Sequence, residues 1–322
     1  MKVPCILYMF ILASLCPYSS SFLQWQGSGS GIRKKPSPST LVFTSLAFGG
    51  KKLVPGDGED SRTSLRNSLV YLTDLSPVAN NVACTVLGAT AAVLWLQMWI
   101  TLAREGKMDS KLSRKIIHSG SAPLYLVLFP LFSDGAYPNL FAASVPLSQL
   151  IRLVNSARQK PDDGDNRETS GLVNAISRSG SAKEALQGPF YYNIILFLVS
   201  LFAFRSSIPG IFVISQMAAG DGMADIIGRR YGTIKWPFSE SKSIAGTLGF
   251  VISAFLVSCG LLSLYTATGC LSVNVSEQWP KILLISVLCA MVEVLIPSSI
   301  LDDNISVSLA AFLISGLVFR AF

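Results

Sequence analysis

The chain has 322 residues, of which 50% are hydrophobic and only 14% charged. A soluble domain carries about 25% charged residues, so the composition excludes a disordered tail protein, a coiled coil and an ordinary cytosolic enzyme. The apolar residues come in long blocks, which points to a membrane protein. The net charge of +7 would suit a nucleic-acid partner if it were spread over the body, but Lys2, Arg33, Lys34, Lys35, Lys51 and Lys52 supply +6 of it before the first acidic residue. No nucleic-acid partner is expected. The six cysteines include no Cys-x-x-Cys pair, so neither a disulfide framework nor a zinc site is expected.

The first 60 residues read as a plastid-targeting presequence, followed by a linker over 61–77. Lys2 precedes an apolar run from Cys5 to Cys16, and small residues follow at Ser19, Ser20 and Ser21, the pattern of a signal peptide ending near residue 21. Leu23 to Gly56 is then Ser/Gly-rich, basic and free of acid, as transit peptides are. Together the two parts resemble the bipartite presequence of algae with secondary plastids. A plain chloroplast transit peptide with a hydrophobic start is the other reading.

Residues 78–322 read as an all-α, polytopic membrane domain of about seven to eight transmembrane helices. The apolar segments are 78–103, 119–133, 136–154, 189–204, 207–220, 244–267, 279–297 and 305–321. A span wants about 20 residues, so 119–133, 189–204 and 207–220 are short. If all eight cross, the loops at 104–118, 155–188, 221–243 and 298–304 share one face, and they hold nearly every charge of the body.

The densest chemistry lies in a nucleotide-binding loop expected over 220–246. It begins Gly220-Asp221-Gly222-Met223-Ala224-Asp225, continues through Gly228-Arg229-Arg230-Tyr231-Gly232, and ends Lys242-Ser243-Ile244-Ala245-Gly246. On a helix Asp221 and Asp225 share a face. Two carboxylates so placed repel unless a cation sits between them, and magnesium held by carboxylates and substrate phosphates suits that position. Gly228 and Gly232 continue the face without side chains, leaving room for a ligand to approach the backbone. Arg229, Arg230 and Lys242 supply charge for phosphate oxygens, and Ser243 with its glycines supplies donors.

This block resembles the CTP-binding region of the polyprenol kinases, the family of phytol, farnesol and dolichol kinases. Asp221, Ala224, Gly228, Gly232, Lys242, Ser243 and Gly246 match the pattern Asp-x-x-Ala-x-x-x-Gly-x-x-x-Gly followed by Lys-Ser/Thr-x-x-Gly. The likeness runs from about Leu112 to Leu309, through Ser113-Arg114-Lys115-Ile116-Ile117-His118, Glu184-Ala185-Leu186-Gln187-Gly188-Pro189 and Leu301-Asp302-Asp303-Asn304-Ile305. Two departures are Gln187, where Lys is common, and Pro297, one residue further from Glu293 than usual. The resemblance implies a membrane kinase that uses CTP and Mg2+ to phosphorylate phytol to phytyl phosphate, feeding tocopherol synthesis, in a plastid membrane. Farnesol or geranylgeraniol is the alternative acceptor. It implies catalytic roles for Asp221, Asp225, Lys242 and His118, and nucleotide contacts from Gly220, Gly222, Gly228, Gly232, Gly246, Arg229, Arg230, Ser243, Arg114 and Lys115.

Other residues keep two readings each. His118 is the single histidine of the chain, either interfacial and structural or part of the site. Asp302 and Asp303 either cap a helix or serve a second cation. Glu184 caps or binds substrate. Glu293 lies in an apolar segment, where a carboxylate is costly and usually functional, and binds substrate or cation or pairs with an arginine. CDP-alcohol phosphotransferases also begin Asp-Gly-x-x-Ala, but they follow it with an arginine where this chain has Asp225. A plastid-envelope transporter would suit eight spans with an intramembrane Glu293. Transporters, however, bind near the midplane between repeated halves, and here the charges collect at one face without a repeat.

If the presequence is bipartite, residues 1–60 fused to a fluorescent protein should enter the plastid of a secondary-plastid alga, and deleting Lys2 to Cys16 should strand the fusion in the cytosol. Import without that stretch would leave only a simple transit peptide.

Overall fold

A computed structural model describes residues 75–158, 188–239, 241–298 and 300–321. The presequence expected over 1–60, most of the linker expected over 61–77, and Glu184 lie outside the described residues. The described residues form helices and no strand, apart from one isolated antiparallel bridge between Lys235 and Ser243. In chain order the helices are α1 (Pro77–Arg104), α2 (Ser110–Leu126), α3 (Pro138–Arg158), α4 (Gly188–Ala203), α5 (Ile208–Tyr231), α6 (Ile244–Ala267), α7 (Val275–Leu295) and α8 (Asp303–Phe319). Four of them, α1, α5, α6 and α7, are long and apolar enough to cross a membrane, and α4 and α8 are shorter apolar helices.

Five of the starts are set by a local cap of the kind that satisfies the free N–H groups of a first turn. The Ser76 hydroxyl accepts from Ala79 N at 3.3 Å, ahead of Pro77 at the first helical position. Asp109 accepts from Leu112 N at 3.3 Å to begin α2, and Ser207 accepts from Gly210 N at 3.2 Å to begin α5. Ser243 and Asp302 start α6 and α8 in the same way, accepting from Gly246 N at 3.1 Å and from Asn304 N at 3.0 Å.

The charged segment expected as a loop from residue 221 is helical to Tyr231. The apolar run ends at Gly220, but α5 passes through a π-helical stretch over Ser215–Gly220 and continues. It continues because Asp221–Tyr231 still packs on α2 and α6. This helix is the centre of the bundle: 83% of its most apolar stretch is buried, against 6% for α1, which lies at the periphery. Small residues allow the close crossings. A Cβ on Gly222 would fall 1.9 Å from Ser119 Oγ of α2, one on Gly220 2.7 Å from the Phe250 ring of α6, and one on Gly249 2.6 Å from Ile227 Cδ1.

The end of the bundle opposite the charged helix starts is closed by a buried arginine. Arg205, 7% exposed, donates to the carbonyls of Phe129, Phe132 and Ser133 and pairs with Asp134. Asn81 of α1 binds the same turn, accepting from Ser133 N at 2.9 Å and donating to Gly135 O at 3.0 Å. That turn carries Ala136 and Tyr137 at φ 59° and 54°, a left-handed conformation that costs about 1–2 kcal/mol per residue and that the Asn81 bonds offset.

The α2–α5 crossing has no room for even one methyl group. Gly222→Ala should therefore cost about 1–3 kcal/mol by overpacking, read as a lower Tm in detergent. Adding Ser119→Gly should recover part of the loss, because it removes the nearest obstructing atom.

Candidate active site

The helix ends at the charged face meet around three acids. One carboxylate oxygen from each of Asp221 (α5), Glu293 (α7) and Asp303 (α8) lies within 4.8 Å of the other two. Asp221 and Glu293 are buried, at 7% and 4% exposure. Lys242 reaches into this cluster, pairing with Glu293 and with Asp303 Oδ2 at 3.1 Å. Ser298 donates to both oxygens of Asp303 at 3.0 and 2.8 Å. Burial alone would lower the Lys242 ammonium, but the carboxylates of Glu293 and Asp303 more than reverse this and hold it well above the usual lysine value. It is an ammonium at any working pH.

Lys242 is placed by the turn between α5 and α6. Ile244 N donates to Ile234 O at 3.1 Å, Trp236 N to Lys242 O at 3.2 Å, and the Trp236 indole to Thr247 Oγ1 at 2.9 Å. These bonds fold residues 233–239 and 241–243 back over the first turn of α6.

On the other side of Asp221, the first turns of α2 supply Lys115 and His118. Lys115 Nζ lies 3.5 Å from Asp221 Oδ2 and 3.8 Å from Asp225 Oδ2. His118 Nε2 is 3.3 Å from Asp221 Oδ2 and 3.3 Å from the Met217 carbonyl. Facing two acceptors, that nitrogen is a donor, so His118 holds Asp221 through Nε2 rather than drawing a proton there. The Tyr192 hydroxyl of α4 fixes the same turn, donating to the His118 carbonyl at 2.8 Å and accepting from Ala122 N at 2.9 Å.

The structure divides the residues singled out from the sequence. Asp221, Lys242, Lys115, His118, Asp303 and Glu293 come together. Asp225 does not join the acid cluster, because Arg229, one turn on, pairs with it at 2.8 Å; both line the edge of the site. Arg230 is exposed, its guanidinium 5.8 Å from the Tyr231 ring centroid, and stands outside the cluster. Asp302 spends its Oδ1 on capping α8 and on Asn304 Nδ2 at 2.8 Å. Arg114 and Asp302 both line the larger cavity described next.

The glycines also serve packing. Much of the room they leave is taken by protein: a Cβ on Gly232 would meet Ser243 Oγ at 2.3 Å, and one on Gly246 the Ala224 carbonyl at 2.9 Å. Gly220 and Gly222 pack against Phe250 and Ser119, not against open space. Gly228 and Gly246 do border a cavity, but their first service is to let α5 and α6 touch. Ser243 is buried as the cap of α6.

Two cavities open at the site and share a wall. The smaller, about 300 Å³, is polar and highly charged, lined by the cations of Lys115, Arg229, Lys235 and Lys242 and by the carboxylates of Asp221, Asp225, Glu293 and Asp303. The larger, about 400 Å³, runs down among α1–α4, where Leu96, Ile117, Tyr125, Val145, Leu153 and Leu196 line it. Lys115, Asp221, Ser298 and Asp303 belong to both. Sequence reasoning passes over Tyr192, Ser298 and Lys235; only Lys235, a cation near Lys242, carries a signal that spacing alone would pick out.

No family profile and no solved structure matches the chain. Its curated relatives include Phytol kinase 1, chloroplastic, of Arabidopsis thaliana, 34% identical over 95% of this chain and 97% of that protein. Probable phytol kinase 1, chloroplastic, of Glycine max is 38% identical over 72% of this chain and 77% of that protein. Farnesol kinase, chloroplastic, of Arabidopsis thaliana is 34% identical over 72% and 74%. With an acid-and-lysine cluster set between a greasy cavity and a charged one, and with kinship of this extent, the chain belongs to the polyprenol kinase family of the plastid phytol and farnesol kinases.

Proposed function

We propose that the protein is a phytol kinase of a plastid membrane, transferring the γ-phosphoryl group of CTP to phytol or a closely related isoprenoid alcohol. The observation that carries this reading is the shared wall of the two cavities. An apolar cavity suits an alcohol already dissolved in the bilayer, and one that joins four cations to four carboxylates suits a nucleotide triphosphate together with a divalent cation. Asp221, Lys115 and Asp303 stand where the hydroxyl and the phosphoryl group would meet. The relatives' names supply the acceptor class and the compartment, and they give the transporter alternative no support.

Phosphoryl transfer depends on positioning and charge neutralisation more than on covalent chemistry. Lys242, Lys115 and Arg229 would neutralise phosphate oxygens, and the first turn of α6 would add its N-terminal dipole. The three convergent carboxylates of Asp221, Glu293 and Asp303 are an oxygen donor set of the kind magnesium takes, so the residues present fit the ion. When bound there with the nucleotide, magnesium supplies further screening of the phosphates. His118 is a positioning residue that keeps Asp221 turned toward the junction. We read all eight helices as crossing the membrane, with α2, α3, α4 and α8 completing the four longer apolar spans, and residues 1–60 as the plastid presequence.

Membranes containing the protein should label phytol from γ-labelled CTP in preference to ATP, GTP or UTP. Asp221→Asn and Asp303→Asn should each lower turnover by about a hundredfold, the scale of losing one electrostatic catalytic group, with a smaller loss for Asp225→Asn. Lys242→Ala should impair both CTP affinity and rate. Lys242→Arg should rescue only part, since a planar fork does not replace a compact ammonium. Near-normal phosphorylation by Asp221→Asn, at equal amounts of inserted protein, would refute this site.

A further inference from the structure

The larger cavity has a floor. Its lining runs from Arg114, Lys115 and Asp221 at the polar end to Tyr125, Val145 and Leu196 at the other. From His118 to Tyr125 on α2, and from Pro189 to Leu196 on α4, is seven residues, or about 10 Å at roughly 1.5 Å per residue. Tyr125 closes the deep end. Its hydroxyl donates to Ala142 O of α3 at 2.6 Å, and its ring stands edge-on to Phe129 with centroids 5.2 Å apart. Gly88 of α1 lies directly beneath it, where a Cβ would come within 2.7 Å of the ring.

An extended carbon chain advances roughly 1.2 Å per bond, much as an extended peptide does, so a four-bond isoprene unit covers about 5 Å. The cavity therefore holds about two units below the hydroxyl. A twenty-carbon isoprenoid alcohol has four, and its distal half needs an exit. The wall between α1 and α3 is the one it would use. At the closed end α1 is tied to α3 and to the turn before it, where Thr85 Oγ1 donates to Phe141 O at 3.3 Å and Asn81 donates to Gly135 O. Nearer the site, Ala92 and Leu96 of α1 and Gln149 and Leu153 of α3 line the cavity. Only 6% of the most apolar stretch of α1 is buried, so this helix borders the outside of the bundle.

Resting on the kinase reading, we propose that Tyr125 limits what the enzyme reads of its alcohol to the first two isoprene units and turns the remaining tail out between α1 and α3 into the bilayer.

The test is a chain-length series in liposomes, each alcohol at the same mole fraction. For the wild-type protein kcat/KM should rise from five to ten carbons and then stay within about threefold out to twenty, since the tail beyond the exit meets only lipid. Tyr125→Ala, which removes the floor, should let kcat/KM go on rising from ten to fifteen carbons by about fivefold or more. An unchanged profile in that variant, or a steady rise to twenty carbons in the wild type, would overturn the proposal. A twenty-carbon alcohol carrying a fluorophore at its far end gives a readout other than turnover. With the wild-type protein in excess over this alcohol, the fluorophore should be quenched by lipids brominated along their acyl chains. A fluorophore shielded from those lipids overturns the proposal. If no alcohol is phosphorylated, the kinase reading falls, and the quenching experiment still decides the path of the tail.

Discussion

Three carboxylates held within 4.8 Å of one another dominate the electrostatics of this bundle, because each pair repels by about 4 kcal/mol at 4 Å in the effective dielectric near a protein surface. Their cost sets the terms for everything around them. Lys242 must reach Glu293 and Asp303, which requires the segment ahead of it, tied by Ile234 and Trp236, to fold back on α6. Lys115 must reach Asp221, which requires α2 and α5 to cross closely. The ends of α2, α5, α6, α7 and α8 are thereby drawn to one place, and the two cavities are the spaces left on either side of the cluster.

Close approach is the second requirement, and the glycines meet it. Helices that bring side chains from five elements to one point cannot keep ordinary separations at the crossing. Gly222 admits Ser119, Gly232 and Gly228 admit the Ser243 cap, and Gly246 admits the Ala224 carbonyl. A motif whose residues match a nucleotide-binding pattern is thus, in this fold, largely a packing device that aims a few charged neighbours.

Much of the fold was legible because it is written in local chemistry. The breaks near 104–110, 204–207 and 232–243 follow from runs of charge, from capping serines and aspartates, and from proline. The continuation of α5 past Gly220 was not legible, since the end of apolar sequence looks like the end of a helix when the following charged residues are in fact buried by other helices. Within the site, Asp221 and Lys242 announced themselves by motif. That Asp225 turns to Arg229 was equally available at one helical turn, but an i,i+4 acid pair and an i,i+4 ion pair compete on the same face and sequence does not rank them. Glu293 lies 72 residues beyond Asp221, and its place beside Asp221 and Asp303 depends on the packing of α5, α7 and α8, which no spacing rule reports. Glycine spacing was the least decisive signal, because a helix that needs to touch its neighbour and a helix that needs to admit a ligand use the same residue at the same interval.

The buried Arg205, sealed among carbonyls at the far end of the helices, has a consequence for sidedness. The site and this arginine lie at opposite ends of the described helices, so on the proposed reaction a neutral lipid that flips freely between leaflets is converted into an anionic amphiphile on the leaflet the site faces. The phosphate head cannot return across the hydrocarbon core without a desolvation cost of several kcal/mol. Such an enzyme acts as a ratchet for its substrate, drawing an evenly distributed alcohol out of both leaflets and accumulating it, charged, in one.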